Sequence, residues 1–205
     1  FYKINKANNI RVVVDPSSTD LSTDSITVAE ATNLKAAKNN GTETYSITDS
    51  ISNLVTAASN DDQKAAIESS SASVTLSGGT ANASQASTLA SYTKPVVYDV
   101  VDNGAAISVS AVTSAALNEA VKITVTGVST ASEASIALSA TNSGATLVDS
   151  VSGKSDEVKG LSLTPNDTIT SISVTDTTSV SDAVSIASKD TGANIANLTF
   201  NKISG

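Results

Sequence analysis

A chain of 205 residues with a formal charge of −8, a single arginine (Arg11) and neither Cys nor His lacks the side chains that many chemistries require. Nucleic-acid binding has no basic footprint here, disulfides and thiolate metal sites have no cysteine, and Ser–His or Cys–His nucleophile pairs have no base. Aromatic residues make up only 3% against 40% apolar residues, and Ser and Thr together approach a third, so burial must come from Val, Ile, Leu and Ala in thin layers with closely approaching backbones.

That Ser/Thr density resembles a disordered chain, but the β-branched runs and a charged fraction of 16% favour a folded, regular array. No window approaches the roughly 18–20 apolar residues of a membrane span, so no membrane insertion is expected. The sequence starts at Phe1 and contains no Met, which reads as a processed product or a segment of something longer. A pilin reading of Phe1 fails, because the long apolar helix that would follow is missing.

In chain order, residues 1–24 form an entry segment, with a strand over Ile10 to Val14 closed by the turn Asp15-Pro16-Ser17-Ser18. A short strand around Ile26 precedes a helix from Val28 to Lys38, where Val28, Ala31 and Leu34 fall at helical spacing. Asn39-Asn40-Gly41 stops it. Glu43 to Thr48 reads as a strand, and Asp49-Ser50 as the cap of a helix carrying Ile51, Leu54 and Val55. A second helix spans about Asp61 to Ser69. The order then recurs: strand Ser73–Leu76, turn Gly78-Gly79, helix Ala83–Tyr92 and strand Pro95–Val101, with Tyr98 and Asp102 in the places of Tyr45 and Asp49. Further on, strands are expected over Val121–Thr126, Ala145–Val148, Thr170–Thr175 and Asn197–Ile203, with helices after Ser129 and from Val180. Residues 104–120 and 151–168 read as connections.

One six-residue pattern organises these elements. Ala29-Glu30-Ala31-Thr32-Asn33-Leu34 returns as Ser84-Gln85-Ala86-Ser87-Thr88-Leu89, Ser132-Glu133-Ala134-Ser135-Ile136-Ala137 and Ser181-Asp182-Ala183-Val184-Ser185-Ile186. Its starts lie 55, 48 and 49 residues apart, a period in the range of repeat architectures. The expected fold is therefore an α/β repeat: a solenoid-like array of short strands alternating with short Ala-rich helices, about 50 residues per unit. Its divisions are the entry segment 1–24 and repeats over 25–72, 73–120, 121–169 and a short terminal 170–205. Two antiparallel β-sandwich modules are the alternative.

The search for chemistry yields little. Paired acids occur at Asp61-Asp62, Asp156-Glu157 and Asp20 with Asp24, but glycosidase work needs a cleft with sugar-stacking aromatics. No Lys-Ser/Thr follows Gly78-Gly79, so no phosphate loop is complete. Asp49, Asp102, Asp149 and Asp176 are the candidate metal ligands, for calcium alone, if neighbouring units bring them together. Capping of the following helices is the competing reading of these four. Asn40, Asn82, Asn166 and Asn197 each begin an Asn-x-Ser/Thr triplet, as chance predicts at this Ser/Thr content.

The string from Thr27-Val28-Ala29-Glu30-Ala31 through Leu34, and then Thr44-Tyr45-Ser46-Ile47-Thr48-Asp49-Ser50 through Leu54, resembles the degenerate Ala/Ser/Thr-rich repeats of large secreted surface proteins. Those are adhesin-like and surface-layer-like chains of cyanobacteria and marine bacteria, and similar repeats occur in phage virion fibre proteins. The resemblance covers residues 25–102 and weakens beyond. It implies an acidic, extracellular or cell-surface, structural or adhesive role without catalysis, no cofactor, and no functional residues to carry over. The expected function is a non-catalytic, self-assembling subunit or segment of a surface layer, filament or adhesin. The alternatives are a phage tail-fibre or capsid-decorating virion protein and a calcium-assisted glycan-binding module. The expected partners are copies of the chain, meeting through array ends or through terminal strands at residues 1–14 and 194–203; a cell or host surface is the other expected contact.

Overall fold

The computed structural model describes residues 25–36, 45–109, 112, 114–142, 144–190 and 194–205. The expected strand Ile10–Val14, the terminal segment 1–14, the pair Asp20 and Asp24, and the stop at Asn39-Asn40-Gly41 lie outside these residues. Strands and helices alternate through the described chain: β1 (Ser25–Ile26), α1 (Val28–Ala36), β2 (Tyr45–Ser50), α2 (Ile51–Ala58), α3 (Asp61–Ser70), β3 (Ser71–Ala81), α4 (Ala83–Leu89) and β4 (Val96–Asn103). There follow α5 (Gly104–Ile107), α6 (Ser114–Glu119), β5 (Ile123–Thr130), α7 (Ala131–Leu138), β6 (Thr146–Gly153), α8 (Ser155–Lys159), β7 (Thr168–Ser179), α9 (Val180–Ala187) and β8 (Ile195–Ser204).

The chain divides into two compact units, one of residues 1–79 and 88–97, the other of 80–87 and 98–205. In the first, β1 pairs with β2 and β2 with β3, both in parallel. In the second, β4 to β8 pair consecutively, again all in parallel. Helices between parallel neighbours are the connections that such pairing demands. Burial follows the pleat: Tyr45 and Ile47 of β2 are buried while Ser46 and Thr48 are half-buried. In the second unit the buried rows face helices, with α7 packed on β5 and β6, α8 on β6 and β7, and α9 on β7 and β8.

This architecture corrects the expected fold. The chain is an α/β fold on parallel sheet, and the solenoid-like array of about-50-residue units is not what it builds. The six-residue pattern marks only α1, α4, α7 and α9; α2, α3, α5, α6 and α8 lie between them without it. The period was that of the pattern and not of a structural unit. The antiparallel sandwich alternative fails because every described strand pairing is parallel. The connections expected over 104–120 and 151–168 contain the short helices α5, α6 and α8.

The pattern itself is the code for a helix start. Glu30, Gln85 and Glu133 each sit three residues after Thr27, Asn82 and Thr130 and accept the backbone N–H of that residue at 2.8–3.0 Å. In return Thr27, Asn82 and Thr130 accept the N–H of residues 30, 85 and 133. This reciprocal capping satisfies two amides that a helix N-terminus otherwise leaves without partners. In the fourth copy Ser179 accepts from the Asp182 N–H and donates its hydroxyl to the Asp182 carboxylate. The alanine that follows (Ala31, Ala86, Ala134, Ala183) is buried in every case, a place where a small apolar side chain suits close packing.

The sheet face away from the helices explains much of the Ser/Thr content. All-parallel sheets ordinarily have both faces covered by apolar contacts, whereas this face is polar. Ser150 and Ser171 meet hydroxyl to hydroxyl at 2.7 Å, and Thr175 and Thr199 donate to the Gly153 and Ile172 carbonyls of the neighbouring strand. Short hydroxyl side chains thus engage each other and the backbone while remaining open to water.

Candidate assembly edge and the predicted aspartates

The terminal strand expected over residues 194–203 is β8 (Ile195–Ser204). It pairs with β7 from Ile169↔Ile195 to Ser179↔Ser204, with one register shift between Val174 and Thr177. Among the described residues no strand pairs with its other edge. Leu198 and Phe200 stand opposite Ile172 and Val174, on the helix-facing side of the sheet. Ile172 and Val174 are each only 1% exposed, while Leu198 and Phe200 are half-buried and Ile203 is 49% exposed. On the adjoining α9, Val180 and Val184 are 52% and 64% exposed, and Val180 Cγ2 lies 3.8 Å from where a Cβ on Gly205 would sit. The apolar rows of the interior therefore run on into β8, with their cover thinning from the buried Ile195 to the exposed Ile203. Lys202 is the one charged residue of the strand.

The four candidate calcium ligands are distributed over four strands: Asp49 on β2, Asp102 on β4, Asp149 on β6 and Asp176 on β7. Each carboxylate accepts a backbone amide from about twenty residues upstream. Asp49 takes the Val28 N–H at 2.9 Å, Asp102 that of Ala83 at 3.1 Å, Asp149 that of Gly127 at 3.0 Å and Asp176 that of Ser155 at 2.9 Å. Val28, Ala83 and Ser155 are the first residues of α1, α4 and α8. Asp49, Asp102 and Asp176 thus reach sideways to the helix that precedes their own strand, whereas sequence reasoning had the aspartates capping the helix that follows; for α2 that cap is present, with Ser50 accepting the Asn53 N–H. Asp49, only 7% exposed, also accepts the Ser50 N–H and the Asn53 side-chain amide. Asp149 serves a β-bulge, where Gly127 adopts φ +73° and β5 shifts register against β6; a side chain is disfavoured in that left-handed backbone. Among the described residues no three acidic side chains gather as an ion-binding cluster.

Electrostatics follow the same pattern. The Ser155 amide and hydroxyl hold the Asp176 carboxyl below its ordinary range, the backbone bond contributing most. Lys159 Nζ lies 2.7 Å from Asp182 and 3.2 Å from Asp156. These bonds raise the lysine and, with the Ser179 hydroxyl, lower Asp182. The remaining acidic pairs occupy helix starts: Asp61 and Asp62 open α3, and Asp156 and Glu157 open α8, where negative charge complements the helix dipole. Of the Asn-x-Ser/Thr triplets, Asn82 caps α4 and Asn197 donates to the Thr170 carbonyl, while Asn166 is exposed in a turn.

The tyrosines carry structure that sequence reasoning left as a positional correspondence. Tyr45 and Tyr98 are buried and donate their hydroxyls to the Ala66 and Ala116 carbonyls, 3.1 and 2.9 Å away, on helices α3 and α6. Tyr92 donates to the Leu54 carbonyl at 2.6 Å. Burial, followed by a nearby glutamate, raises the Tyr92 and Tyr98 phenols, so they stay protonated donors. The strand correspondence of Tyr45 with Tyr98 was the signal, because a buried tyrosine needs a partner for its hydroxyl. No protein-family model, no curated protein sequence and no solved structure matches the chain.

Proposed function

We propose that the protein is a non-catalytic structural component outside the cell, a self-assembling subunit or segment of a surface layer, filament or adhesin. The observation that carries this reading is the uncovered edge of β8. It is a ten-residue strand with one charge, apolar residues on its helix-facing side and no partner among the described residues on its outer edge. An exposed edge presents a row of backbone donors and acceptors and is a template for strand addition. The placement outside the cell rests on composition: no Cys, Met or His, hence few groups that oxidise or titrate near neutrality. The test is light scattering across protein concentration together with negative-stain electron microscopy, each with and without millimolar calcium. Regular oligomers, filaments or sheets are the expected outcome. Dispersed monomers at every concentration would sink the reading, and calcium-dependent assembly would return the four aspartates to consideration as ligands.

A further inference from the structure

The edge strand reads nearly the same in both directions. Taking Thr199 as the centre, Leu198 mirrors Phe200, Asn197 mirrors Asn201, Ala196 mirrors Lys202 and Ile195 mirrors Ile203. Facing follows the same symmetry. The register with β7 sets Ile195, Leu198, Phe200 and Ile203 beside the buried Ile169, Ile172, Val174 and Thr178. Asn197 and Thr199 stand beside Ser171 and Ser173 on the polar face, and Lys202 beside the exposed Thr177.

Strict alternation about a centre is common to any strand, but this symmetry includes the two places where β8 departs from it. Two residues separate Ile195 from Leu198, and two separate Phe200 from Ile203. A strand with this arrangement is complementary to itself run backwards. We propose that β8 pairs antiparallel with β8 of a second copy of this chain, about a two-fold axis through Thr199 and perpendicular to the sheet. This names the partner and the contact within the assembly reading above and rests on that reading.

In that pairing Leu198 lies beside the partner's Phe200 and Ile195 beside the partner's Ile203, all on the side where each copy carries its helices. Directly opposed side chains of an antiparallel pair are neighbours about 4.5–5.5 Å apart at Cβ, so the half-buried Leu198 and Phe200 and the exposed Ile203 of each copy join the buried Ile195 in one row. The exposed Val180 and Val184 of α9 flank that row. On the other face Asn197 meets the partner's Asn201 and Thr199 meets the partner's Thr199, amide with amide and hydroxyl with hydroxyl. Charge favours a second copy at this place. The chain carries −8 overall, but β8 has no acid and its single lysine falls opposite Ala196, so no like charges are opposed. A contact of this kind is isologous and closes on itself, as in most homodimers.

The absence of cysteine makes the contact directly readable in the 205-residue chain. Thr199→Cys places one thiol on the axis, and mild oxidation should yield covalent dimer at least about tenfold faster than Ser162→Cys on an exposed loop, because opposed thiols share a high effective concentration. Ala196→Cys and Lys202→Cys should each form no covalent dimer after oxidation alone but cross-link when mixed. Phe200→Lys should reduce the mass in light scattering to that of the monomer with an unchanged circular dichroism spectrum. Assembly without these cross-links would overturn the β8–β8 contact and leave the assembly reading standing. A monomer at every concentration, with Thr199→Cys no faster than Ser162→Cys, would overturn both.

Discussion

Strands β7 and β8 lie side by side in nearly one register, yet equivalent positions meet opposite environments. Ile172 and Val174 are buried, and Leu198 and Phe200 beside them are half-open; Thr178 is fully buried, and Ile203 beside it is exposed. In the last row the chemistry is inverted, with the hydroxyl inside and the hydrocarbon outside. Side-chain type alone therefore does not decide burial in this fold. Coverage from the next strand and helix does, and β8 has the apolar side chains of an interior strand without that coverage.

The largest effect that can break this comparison is truncation along one row. Ile172→Ala should cost about 2–5 kcal/mol, as a buried isoleucine leaves a cavity its neighbours fill only partly. Leu198→Ala, one strand over, should cost well under half of that in dilute protein. Urea unfolding of both variants at micromolar concentration measures the difference. Equal losses would mean that Leu198 is already covered in the monomer and that β8 is not an edge. If β8 pairs with a second copy, the Leu198→Ala loss grows with protein concentration, since association stabilises the folded state by mass action.

Next in size is the phenol anchor of an interior strand. Tyr98→Phe keeps the buried ring and removes the hydroxyl that donates to the Ala116 carbonyl, a loss of about 1–3 kcal/mol. Phe200 on β8 has no hydroxyl to lose, and Phe200→Leu should leave the unfolding midpoint of the dilute protein within error. A Tyr98→Phe variant as stable as the parent would show that water replaces the phenol, against its placement in the core.

How much of this was legible in the sequence depends on how many residues each feature involves. Helices such as α1, α2, α7 and α9, eight or nine residues long, bury two or more apolar positions at helical spacing and were visible. The helices α5, α6 and α8 have four to six residues and two buried positions each, too few to establish a period. For α8 a better signal was present: Lys154 donates its N–H to Glu157 three residues on, the same cap spacing as Thr27–Glu30 and Thr130–Glu133. Counting caps would have exposed every strand-to-helix junction of that type; counting the six-residue pattern gave a period of about fifty and a misplaced unit. The role of the aspartates was not legible, because their partners lie about twenty residues upstream and become neighbours only when parallel strands align. The palindrome about Thr199 was in the sequence throughout, but it acquires meaning only with β8 placed last in the strand order of the described residues.

The inverted row offers a smaller change of opposite sign. Thr178 Oγ1 is fully buried and has no hydrogen-bond partner among the described residues, so Thr178→Val removes an unsatisfied polar group while preserving shape. A gain of about 1 kcal/mol is expected, read as a higher urea midpoint. Ile203→Thr on the exposed neighbour should leave that midpoint unchanged in dilute protein. A loss of stability in Thr178→Val would indicate that the hydroxyl has a partner after all.

The smallest effect concerns the lateral caps, and its sign is fixed by Asp176. The Ser155 amide and hydroxyl favour the ionised carboxylate, so its folded-state pKa is depressed below the unfolded value of about 3.9. A group shifted in this direction contributes its full stabilisation above the unfolded pKa, and that contribution is lost as pH falls toward the folded value. Asp182, depressed by Lys159 and Ser179, adds in the same direction. The unfolding midpoint should therefore fall as acid is added below about pH 4, and Asp176→Asn should flatten that limb while lowering the midpoint at pH 7. Lys159 is raised by the same pair, so its contribution persists through neutral pH and disappears only as pH rises through its folded value. Because β8 carries no acid, the β8 contact should keep its strength between pH 7 and pH 5, above the window in which Asp176 and Asp182 lose theirs. Cross-linking of Thr199→Cys, fixed before acidification and compared with non-covalent dimer mass at pH 5 and pH 7, separates the two. Dissociation at pH 5, where the folded chain still retains its lateral caps, would place a titrating group at the interface and argue against a β8–β8 contact built from apolar and amide side chains alone.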